Sequence, residues 1–198
     1  MTKILLVIII AYFLGNFSPS YLLGRFVKRQ DIREHGSQNA GSTNALRVFG
    51  KKIALVTFIL DILKGSFAVW IGHNIFGVEG QYLAGLFVII GHNWPILLGF
   101  KGGKGIATSI GVMFLVSPLY IIISCIVGVA LIYTTKYVSL GSLSIIGLLP
   151  ISALIFSRPL DIDLLVLCLM IAIMGFYQHR ENIKRLVSGN ESKLKFKK

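Results

Sequence analysis

Long uninterrupted apolar runs constrain this chain more than any other feature of its sequence. They cover residues 4–26, 53–72, 81–100, 106–134, 138–156 and 160–177. A helix needs about 20 apolar residues to cross a bilayer, and each run reaches or approaches that length. Hydrophobic residues make up 55% of the chain and charged residues 14%, which is too much apolar surface for one soluble core. The sequence therefore predicts an all-α integral membrane protein, a polytopic helical bundle.

The run at 106–134 is too long for one straight crossing. As a single helix it would extend roughly 43 Å at about 1.5 Å per residue, against a hydrocarbon core of about 30 Å. Ser117 and Pro118 lie near its middle, so we divide it into spans at 106–116 and 118–134. The division predicts seven transmembrane helices. A re-entrant or tilted fourth helix is the alternative.

The basic residues predict the orientation of these spans. Of a net charge of +12, most is in the loops at 27–52, 101–105 and 135–137 and in the tail at 178–198. Because cytoplasmic loops of membrane proteins carry an excess of Lys and Arg, we expect the N-terminus outside and the C-terminus inside. A single crossing at 106–134 would instead put Lys136 and the basic tail outside. Because the basic residues lie in loops between membrane spans, they also argue against a nucleic-acid partner.

Several features point to one simple membrane domain. No Ala-x-Ala cleavage site follows the first apolar run, so we expect an uncleaved first span. Cys125 and Cys168 lie in apolar spans without metal-like spacing, which favours buried thiols over a disulfide or zinc site. No fixed-period repeat is visible, and residues 1–198 are treated as a single domain. No metal site and no cofactor are predicted.

The first motif is a loop of small polar residues at 35–44, followed by Arg47. Glycines allow close approach of the backbone, hydroxyl and amide groups can donate to phosphate oxygens, and a guanidinium matches phosphate geometry. The candidate ligand residues are Ser37, Asn39, Gly41, Thr43, Asn44 and Arg47. The alternative is a polar turn, with Thr43 or Asn44 as the N-cap of the next helix.

The second motif comprises residues 91–95 and the glycine loop, residues 99–105. Glycines around a lysine at the start of a helix combine free N–H groups with positive charge, as anion sites at helix N-termini do. The candidates are Gly102, Gly103, Lys104 and Gly105. A nucleotide P-loop is disfavoured, because Ile106 stands where a hydroxyl would hold magnesium. The alternatives are a tight basic loop, with His92, Asn93 and Trp94 as interfacial or interhelical partners.

The third motif begins where the last span ends. On one helix, His179 and Asn182 would share a face, and an imidazole there is a candidate general base or phosphate donor. The alternative is a basic tail attracted to anionic lipid. Ser139 and Ser142, at the start of the sixth predicted span, form a weaker candidate site.

Asp61 and Lys64 place two formal charges inside the second predicted span. They are one helical turn apart, so each can neutralise the other. Intramembrane charges are candidate functional groups. Because the pair has no need of a substrate, we favour a structural ion pair over a catalytic role.

Taken in order, these motifs resemble the bacterial acyl-phosphate:glycerol-3-phosphate acyltransferase family (PlsY) along essentially the whole chain. The matching residues are Gly36-Ser37-x-Asn39-x-Gly41-x-Thr43-Asn44 with Arg47, Asp61-Ile62-Leu63-Lys64-Gly65, Gly91-His92-x-Trp94-Pro95, Gly99-Phe100-Lys101-Gly102-Gly103-Lys104-Gly105, Ser139-Leu140-Gly141, and His179 with Asn182 and Glu191. One departure is Gln38, where the family usually has glycine.

The resemblance implies transfer of a fatty acyl group from acyl phosphate to the 1-hydroxyl of glycerol 3-phosphate in the bacterial cytoplasmic membrane. The products are 1-acylglycerol 3-phosphate and phosphate, in the first acylation step of phospholipid synthesis. It also implies roles for the matching residues: Ser37 and Arg47 are needed for activity, the glycine loop around Lys104 binds glycerol 3-phosphate, His179 and Asn182 support the reaction, and Glu191 is mainly structural. Membrane lipid is the surrounding partner, and no obligate protein partner is expected.

Acyl phosphate is a mixed anhydride, so aligning the hydroxyl and stabilising negative charge suffice for direct attack without an acyl-enzyme. The proton acceptor is either His179 or a phosphate oxygen of the donor. The His-x-x-x-x-Asp signature of coenzyme-A-dependent acyltransferases is absent, which disfavours acyl-CoA. The main rival function is a transporter of a small organic phosphate, and a scaffold with a lipid-binding tail is a third class.

Overall fold

A computed structural model describes residues 1–194 of the chain and shows only helices, turns and irregular segments there. The helices are α1 (Thr2–Asn16), α2 (Pro19–Leu23), α3 (Ser42–Phe49), α4 (Lys51–Asn93), α5 (Ile106–Val116), α6 (Pro118–Thr135), α7 (Val138–Phe156), α8 (Ile162–Gln178) and α9 (Arg180–Val187). A π-helical segment spans Gly24–Lys28, and 3₁₀ turns span Ile32–Glu34 and Ile96–Leu98. Lys195, Lys197 and Lys198 of the predicted basic tail lie outside the described residues.

The chain forms two compact units, Met1–Val116 (unit 1) and Ser117–Lys198 (unit 2), of which the described part ends at residue 194. In unit 1, α4 packs against α1, α3 and α5. In unit 2, α7 packs against α6 and α8. The treatment of the chain as one domain stays a prediction.

The first predicted span is broken, although its apolar run is continuous. α1 ends at Asn16, Phe17 and Ser18 are extended, and α2 begins at Pro19. Proline has no N–H to donate to the carbonyl four residues earlier, here Gly15, and this loss favours a break in the helix at this point. The prediction of one helix over 4–26 is wrong in this respect, and the break leaves backbone carbonyls in need of partners.

The helical stretch Lys51–Asn93 contains a reversal of the chain. Phe76 and Gly77 have non-helical angles, with Gly77 at φ 66°. A Cβ on Gly72 would lie 2.3 Å from the carbonyl oxygen of Gly80, a contact that a straight helix could not make. The two halves therefore fold back on each other, which agrees with the predicted spans at 53–72 and 81–100.

The second half of α4 ends at Asn93 rather than at the predicted residue 100. Trp94 precedes Pro95 and has φ −131° and ψ 65°. A residue before proline is sterically disfavoured in the α region, which explains the early stop. The irregular segment before α5 is consequently longer than the predicted loop at 101–105.

Glycines let the helices of each unit approach closely. A Cβ on Gly15 of α1 would lie 2.8 Å from the Cα of Gly91, and one on Gly65 would lie 2.4 Å from the carbonyl oxygen of Thr108. In unit 2, a Cβ on Gly128 would lie 2.8 Å from the carbonyl oxygen of Gly141. Small residues at helix crossings are typical of membrane proteins, where packing and not hydrophobic burial drives association.

By length and hydropathy alone, four candidate spans are found among the described helices, namely Thr2–Lys28, Lys51–Leu98, Pro118–Thr135 and Val138–Phe156. The second of these is the stretch that folds back at Gly77. The pair α8 and α9, bent by 64°, makes a fifth if counted as one span. The break at Ser117 between α5 and α6 agrees with the predicted division of residues 106–134. The helical membrane fold is confirmed, whereas seven spans and their orientation stay predictions.

Candidate active site

The buried side chain of Asn44 organises the first loop. Its Nδ2 donates to the carbonyls of Ile32, His35 and Asn39 at 3.0–3.1 Å, and its Oδ1 accepts from the backbone N–H of Ser37 at 2.8 Å. Asn44 is predicted to bind substrate, but its amide is engaged by the loop itself. It is not the N-cap either, because α3 begins at Ser42 with Gly41 as its N-cap residue.

Two predicted site residues of this loop face outward. Ser37 and Arg47 are exposed, and within residues 1–194 neither the hydroxyl of Ser37 nor the guanidinium of Arg47 has a protein partner. Asn44 fixes the backbone of Ser37, and α3 carries Arg47. The first loop thus presents a hydroxyl and a positive charge that are available to a ligand.

Gln38 adopts the conformation that glycine would adopt more easily. Its φ is 57°, in the left-handed region, and its N–H donates to the carbonyl of His35 at 3.0 Å. Most side chains are strained there because Cβ approaches the following carbonyl. The departure from the family's usual glycine therefore leaves a glycine-type backbone path in place.

The first loop and the glycine loop are in direct contact. The carbonyl of Gly102 accepts from the N–H of Ala40 at 3.3 Å and from Nδ2 of Asn39 at 3.4 Å. A third bond joins the segments just before the two loops, since Arg33 donates to the carbonyl of Leu98 at 2.8 Å. The two motifs, separated by an apolar hairpin in sequence, lie side by side.

Arg33 is held in this position by Asp31, a pair that the sequence analysis did not single out. Oδ1 and Oδ2 of Asp31 accept from Nε and Nη2 of Arg33 at 3.0 and 2.8 Å. The hydrogen bonds from Arg33 lower the pKa of Asp31 to about 2. Arg25 also donates to Oδ2 of Asp31 at 3.1 Å, so the buried carboxylate is neutralised by two arginines.

The glycine loop leads into the N-terminus of α5. Gly105 has φ 79°, and its carbonyl accepts from Ser109 at 2.7 Å. Lys104 is half-buried between Gly103 and Gly105. Lys104 thus precedes the positive end of the α5 helix dipole by two residues in sequence. Ligand binding by this loop stays a prediction.

Behind the glycine loop lies a buried group of charged and polar side chains. Nζ of Lys64 is 2.7 Å from Oδ1 of Asp61 and 2.7 Å from Nδ1 of His92. It also donates to the carbonyl of Phe17 at 2.7 Å and more weakly to that of Gly15 at 3.4 Å. The predicted ion pair exists, and His92 is a member that sequence spacing did not reveal.

In unit 2, several predicted site residues are hydrogen-bonded to one another. Oε1 of the buried Glu191 accepts from Oγ of Ser139 at 2.8 Å and from Nδ2 of Asn182 at 2.7 Å. Oε2 accepts from Nε of Arg185 at 2.7 Å, a contact that the sequence analysis missed. Burial would raise the pKa of Glu191, but these hydrogen bonds outweigh it and lower the pKa. We call this group the Glu191 clasp.

His179 lies at the 64° bend between α8 and α9, not on one continuous helix with Asn182 as predicted. Its imidazole is buried, with Nδ1 2.8 Å from the carbonyl of Gly175. A carbonyl only accepts, so Nδ1 donates its proton in this bond, and when the ring is neutral its lone pair is on Nε2. That tautomer is the one a general base needs. Ser142 is buried on α7.

Comparison with known proteins gives the family. A family model described as "Glycerol-3-phosphate acyltransferase" matches residues 5–189. A glycerol-3-phosphate acyltransferase of Alkaliphilus metalliredigens is 50% identical over 96% of this chain and 95% of its own. One of Thermoanaerobacter pseudethanolicus is 46% identical over 94% and 93%. The chain belongs to the glycerol-3-phosphate acyltransferase family.

Two solved structures of this family resemble the fold closely. They are crystal structures of PlsY (YgiH), an integral membrane glycerol 3-phosphate acyltransferase, in a glycerol 3-phosphate form and a lysophosphatidic acid form. The first has a TM-score of 0.90 and 35% identity, covering 97% of this chain and 96% of its own. The second has a TM-score of 0.86 and 33% identity, covering 97% and 95%. The predicted acyltransferase family and its integral membrane character are confirmed.

Proposed function

We propose that this chain transfers a fatty acyl group from acyl phosphate to the 1-hydroxyl of glycerol 3-phosphate. The observation that carries the proposal is the contact between the first loop and the glycine loop at Gly102. It puts two anion-binding elements side by side, and the proposed reaction has two phosphate-bearing substrates. The glycerol 3-phosphate and lysophosphatidic acid forms of the related crystal structures support an acceptor and a product of these kinds.

Each phosphate has a suitable set of ligands in this proposal. Lys104 and the backbone N–H groups of Gly102 and Gly105 bind the acceptor phosphate at the start of α5, while the N–H of Gly103 donates to the carbonyl of His92 at 3.0 Å and so helps to shape the loop. Arg47 and Ser37 bind the donor phosphate, with Asn39 and Thr43 beside them. The exposed guanidinium of Arg47 supports this assignment, because an Arg–phosphate pair forms two parallel hydrogen bonds.

The proposed chemistry is a single displacement. The 1-hydroxyl oxygen attacks the acyl carbonyl carbon, a new ester C–O bond forms, and the C–O bond to phosphate breaks, so that inorganic phosphate leaves with the electron pair. Arg47 stabilises the charge that develops on the leaving phosphate. The hydroxyl proton goes either to Nε2 of His179 or to a phosphate oxygen of the donor, and Asn182 supports this step.

The site faces the cytoplasm of a bacterial inner membrane in this proposal. The basic loops at 27–52 and 101–105 support that orientation by the positive-inside rule. Phosphate-bearing substrates are then supplied from water, while the acyl chain of donor and product stays in lipid. Neither a metal ion nor a cofactor takes part.

The test is turnover by the purified full-length chain with acyl phosphate and glycerol 3-phosphate. We expect lysophosphatidic acid and inorganic phosphate in equal amounts, unaffected by a metal chelator. Acyl-CoA and acyl carrier protein thioesters, offered in parallel, should give no product. Product from a thioester but not from acyl phosphate would overturn the donor assignment.

Sealed vesicles containing the protein separate the rival function. A transporter of organic phosphates would accumulate labelled glycerol 3-phosphate in the vesicles without forming product. An enzyme should convert the label to a lipid-soluble product that stays with the membrane. Uptake without acylation would overturn the proposal.

A further inference from the structure

The buried ammonium of Lys64 completes the end of α1. Pro19 cannot donate to the carbonyl of Gly15, so the break at Phe17 leaves carbonyls unpaired inside a membrane span. Nζ of Lys64 donates to Phe17 at 2.7 Å and lies 3.4 Å from the carbonyl of Gly15. A cation is favoured at this point, because the C-terminal end of a helix carries partial negative charge.

The same ammonium determines which ring nitrogen of His92 carries the proton. Its nitrogen lies 2.7 Å from the carbonyl of Phe17 and 2.7 Å from Nδ1 of His92, and it forms an ion pair with Oδ1 of Asp61 at 2.7 Å. An ammonium cannot accept a hydrogen bond, so Nδ1 of His92 is the acceptor and its lone pair is in use. The ring is therefore neutral, with its proton on Nε2.

The opposite edge of that ring lies against the glycine loop. A Cβ on Gly103 would be 2.0 Å from Nε2 and 2.7 Å from Cε1 of His92. The N–H of Gly103 also donates to the carbonyl of His92 at 3.0 Å. The side chain and the backbone of His92 thus both contact Gly103, one residue before Lys104.

We propose that Lys64 is a positioning residue that acts through His92 to hold the glycine loop in its binding conformation. Asp61 neutralises the buried ammonium of Lys64, which lowers the free-energy cost of placing this charge inside the membrane. The inference rests on the proposed function, because it concerns the loop assigned to the acceptor phosphate. Loss of the contacts from Lys64 through His92 to Gly103 should weaken binding of glycerol 3-phosphate. Binding of acyl phosphate and the rate of the chemical step should stay nearly unchanged.

The first test removes both buried charges at once. In the Asp61→Asn/Lys64→Met double variant no charge is left uncompensated, and we expect KM for glycerol 3-phosphate to rise at least 10-fold. The kcat and the KM for acyl phosphate should stay within 3-fold of the original chain. A KM for glycerol 3-phosphate within 2-fold of the original would overturn the inference.

A second pair of variants leaves the ion pair intact. In His92→Gln the amide oxygen can accept from Lys64 and the amide N–H can face Gly103, so KM should stay within 3-fold. In His92→Leu neither contact is possible, and KM should rise at least 10-fold. Equal effects of the two substitutions would contradict the proposal. Ser66→Ala is the matched control on the same helix. Ser66 donates to the carbonyl of Gly111 at 2.8 Å and not to the Lys64 and His92 group, so KM should be unchanged.

Nitrogen NMR of ¹⁵N-histidine protein gives a readout that needs no turnover. We expect the His92 signal, assigned by its loss in His92→Gln, to show a neutral ring protonated at Nε2, and to change in the double variant. A ring protonated at Nδ1 would overturn the inference even in an active enzyme. If the original chain makes no lysophosphatidic acid, the proposed function fails, while the NMR result still decides the link from Lys64 to His92.

Discussion

In the first loop the guanidinium of Arg47 is exposed and has no acidic partner within residues 1–194, whereas in unit 2 the guanidinium of Arg185 is bound to Glu191 at 2.7 Å. The hydroxyls differ in the same way, since Ser37 is exposed and Ser139 donates to Glu191 at 2.8 Å. Both regions contain residues of the kind that bind phosphate. Only the first loop leaves such groups available, while the Glu191 clasp uses them to bind its own chain.

The comparison predicts different consequences of mutation in the two regions. Removing an exposed group of the first loop should reduce activity without reducing stability. Removing Glu191, which accepts all the hydrogen bonds of the clasp, should reduce stability first, and activity only through it. Four substitutions test this difference.

Arg47→Ala should have the largest effect. We expect kcat/KM to fall about 10³-fold, or about 4 kcal/mol of transition-state stabilisation, because a leaving phosphate loses its charged hydrogen-bond donor. The midpoint of thermal unfolding in detergent should not change. Arg158→Ala, at the exposed arginine between α7 and α8, is the control and should retain activity. A marked loss of stability in Arg47→Ala would contradict the comparison.

Glu191→Ala should be the most destabilising of the four substitutions. It removes three hydrogen bonds worth about 1 kcal/mol each, so the free energy of unfolding should fall by about 3 kcal/mol. Glu181→Ala is the control. Within residues 1–194, Glu181 makes an exposed pair with Lys184 at 3.2 Å, so its removal should cost less than about 0.5 kcal/mol. Chemical unfolding of the purified variants measures both.

The same pair of variants gives the pH dependence of the Glu191 clasp. The pKa of Glu191 is lowered in the folded state. Its contribution is therefore complete above the unfolded value of about 4.3 and is lost as pH falls through the lower folded value. The stability difference between the original chain and Glu191→Ala should be constant above about pH 5 and shrink in acid. A difference that grows in acid would show that Glu191 does not act as a carboxylate.

Asn44→Ala should affect both activity and stability. It leaves the N–H of Ser37 and three carbonyls without their partner, so we expect a loss of about 2 kcal/mol in stability and roughly 100-fold in kcat/KM. Asn190→Ala, at an exposed asparagine with one bond of 3.3 Å, is the control. Unchanged kcat/KM in Asn44→Ala would mean that the loop does not need this side chain to present Ser37.

Gln38→Gly should have the smallest effect and the opposite sign. Glycine removes the strain of a left-handed side chain but adds freedom to the unfolded chain, for a net gain of about 0.5 kcal/mol. Gln30→Gly, where φ is not positive, should instead lose about 0.5 kcal/mol. Activity should be unchanged in both. Destabilisation by Gln38→Gly would show that the side chain makes a contribution larger than the strain.

Much of the fold could be predicted because its signals are local. The apolar runs gave the helices, and Ser117 with Pro118 marked the break between α5 and α6. The breaks at Phe17 and Trp94 also had local signals, in Pro19 and Pro95, but both lie within long hydropathic runs that outweighed them. The chain reversal at Gly77 lies in the predicted loop between two spans.

The sequence predicted which residue types form the candidate site, but not which of them are in contact with each other. Periodicity placed Asp61 beside Lys64, since they are one turn apart on a helix. No local pattern could join Lys64 to His92 or Gly102 to Ala40, because those contacts depend on how helices cross. Asn44 and Asn182 show the same limit: residue type marked both as polar candidates, and only the structure reveals which groups their amides bind.

The contact of Gly103 with His92 bears on how a ligand would enter. The glycine loop is held from behind by an imidazole and at Gly102 by the first loop, so it has little freedom to fold over an arriving molecule. The binding site in the glycine loop is therefore preformed. The rate at which a ligand binds there should depend on how accessible the loop is and on the charge of the ligand, because no loop closure has to precede binding. An inhibitor shaped to the resting loop would then have no rearrangement to induce, and its association rate should fall with ionic strength as that of a small anion does.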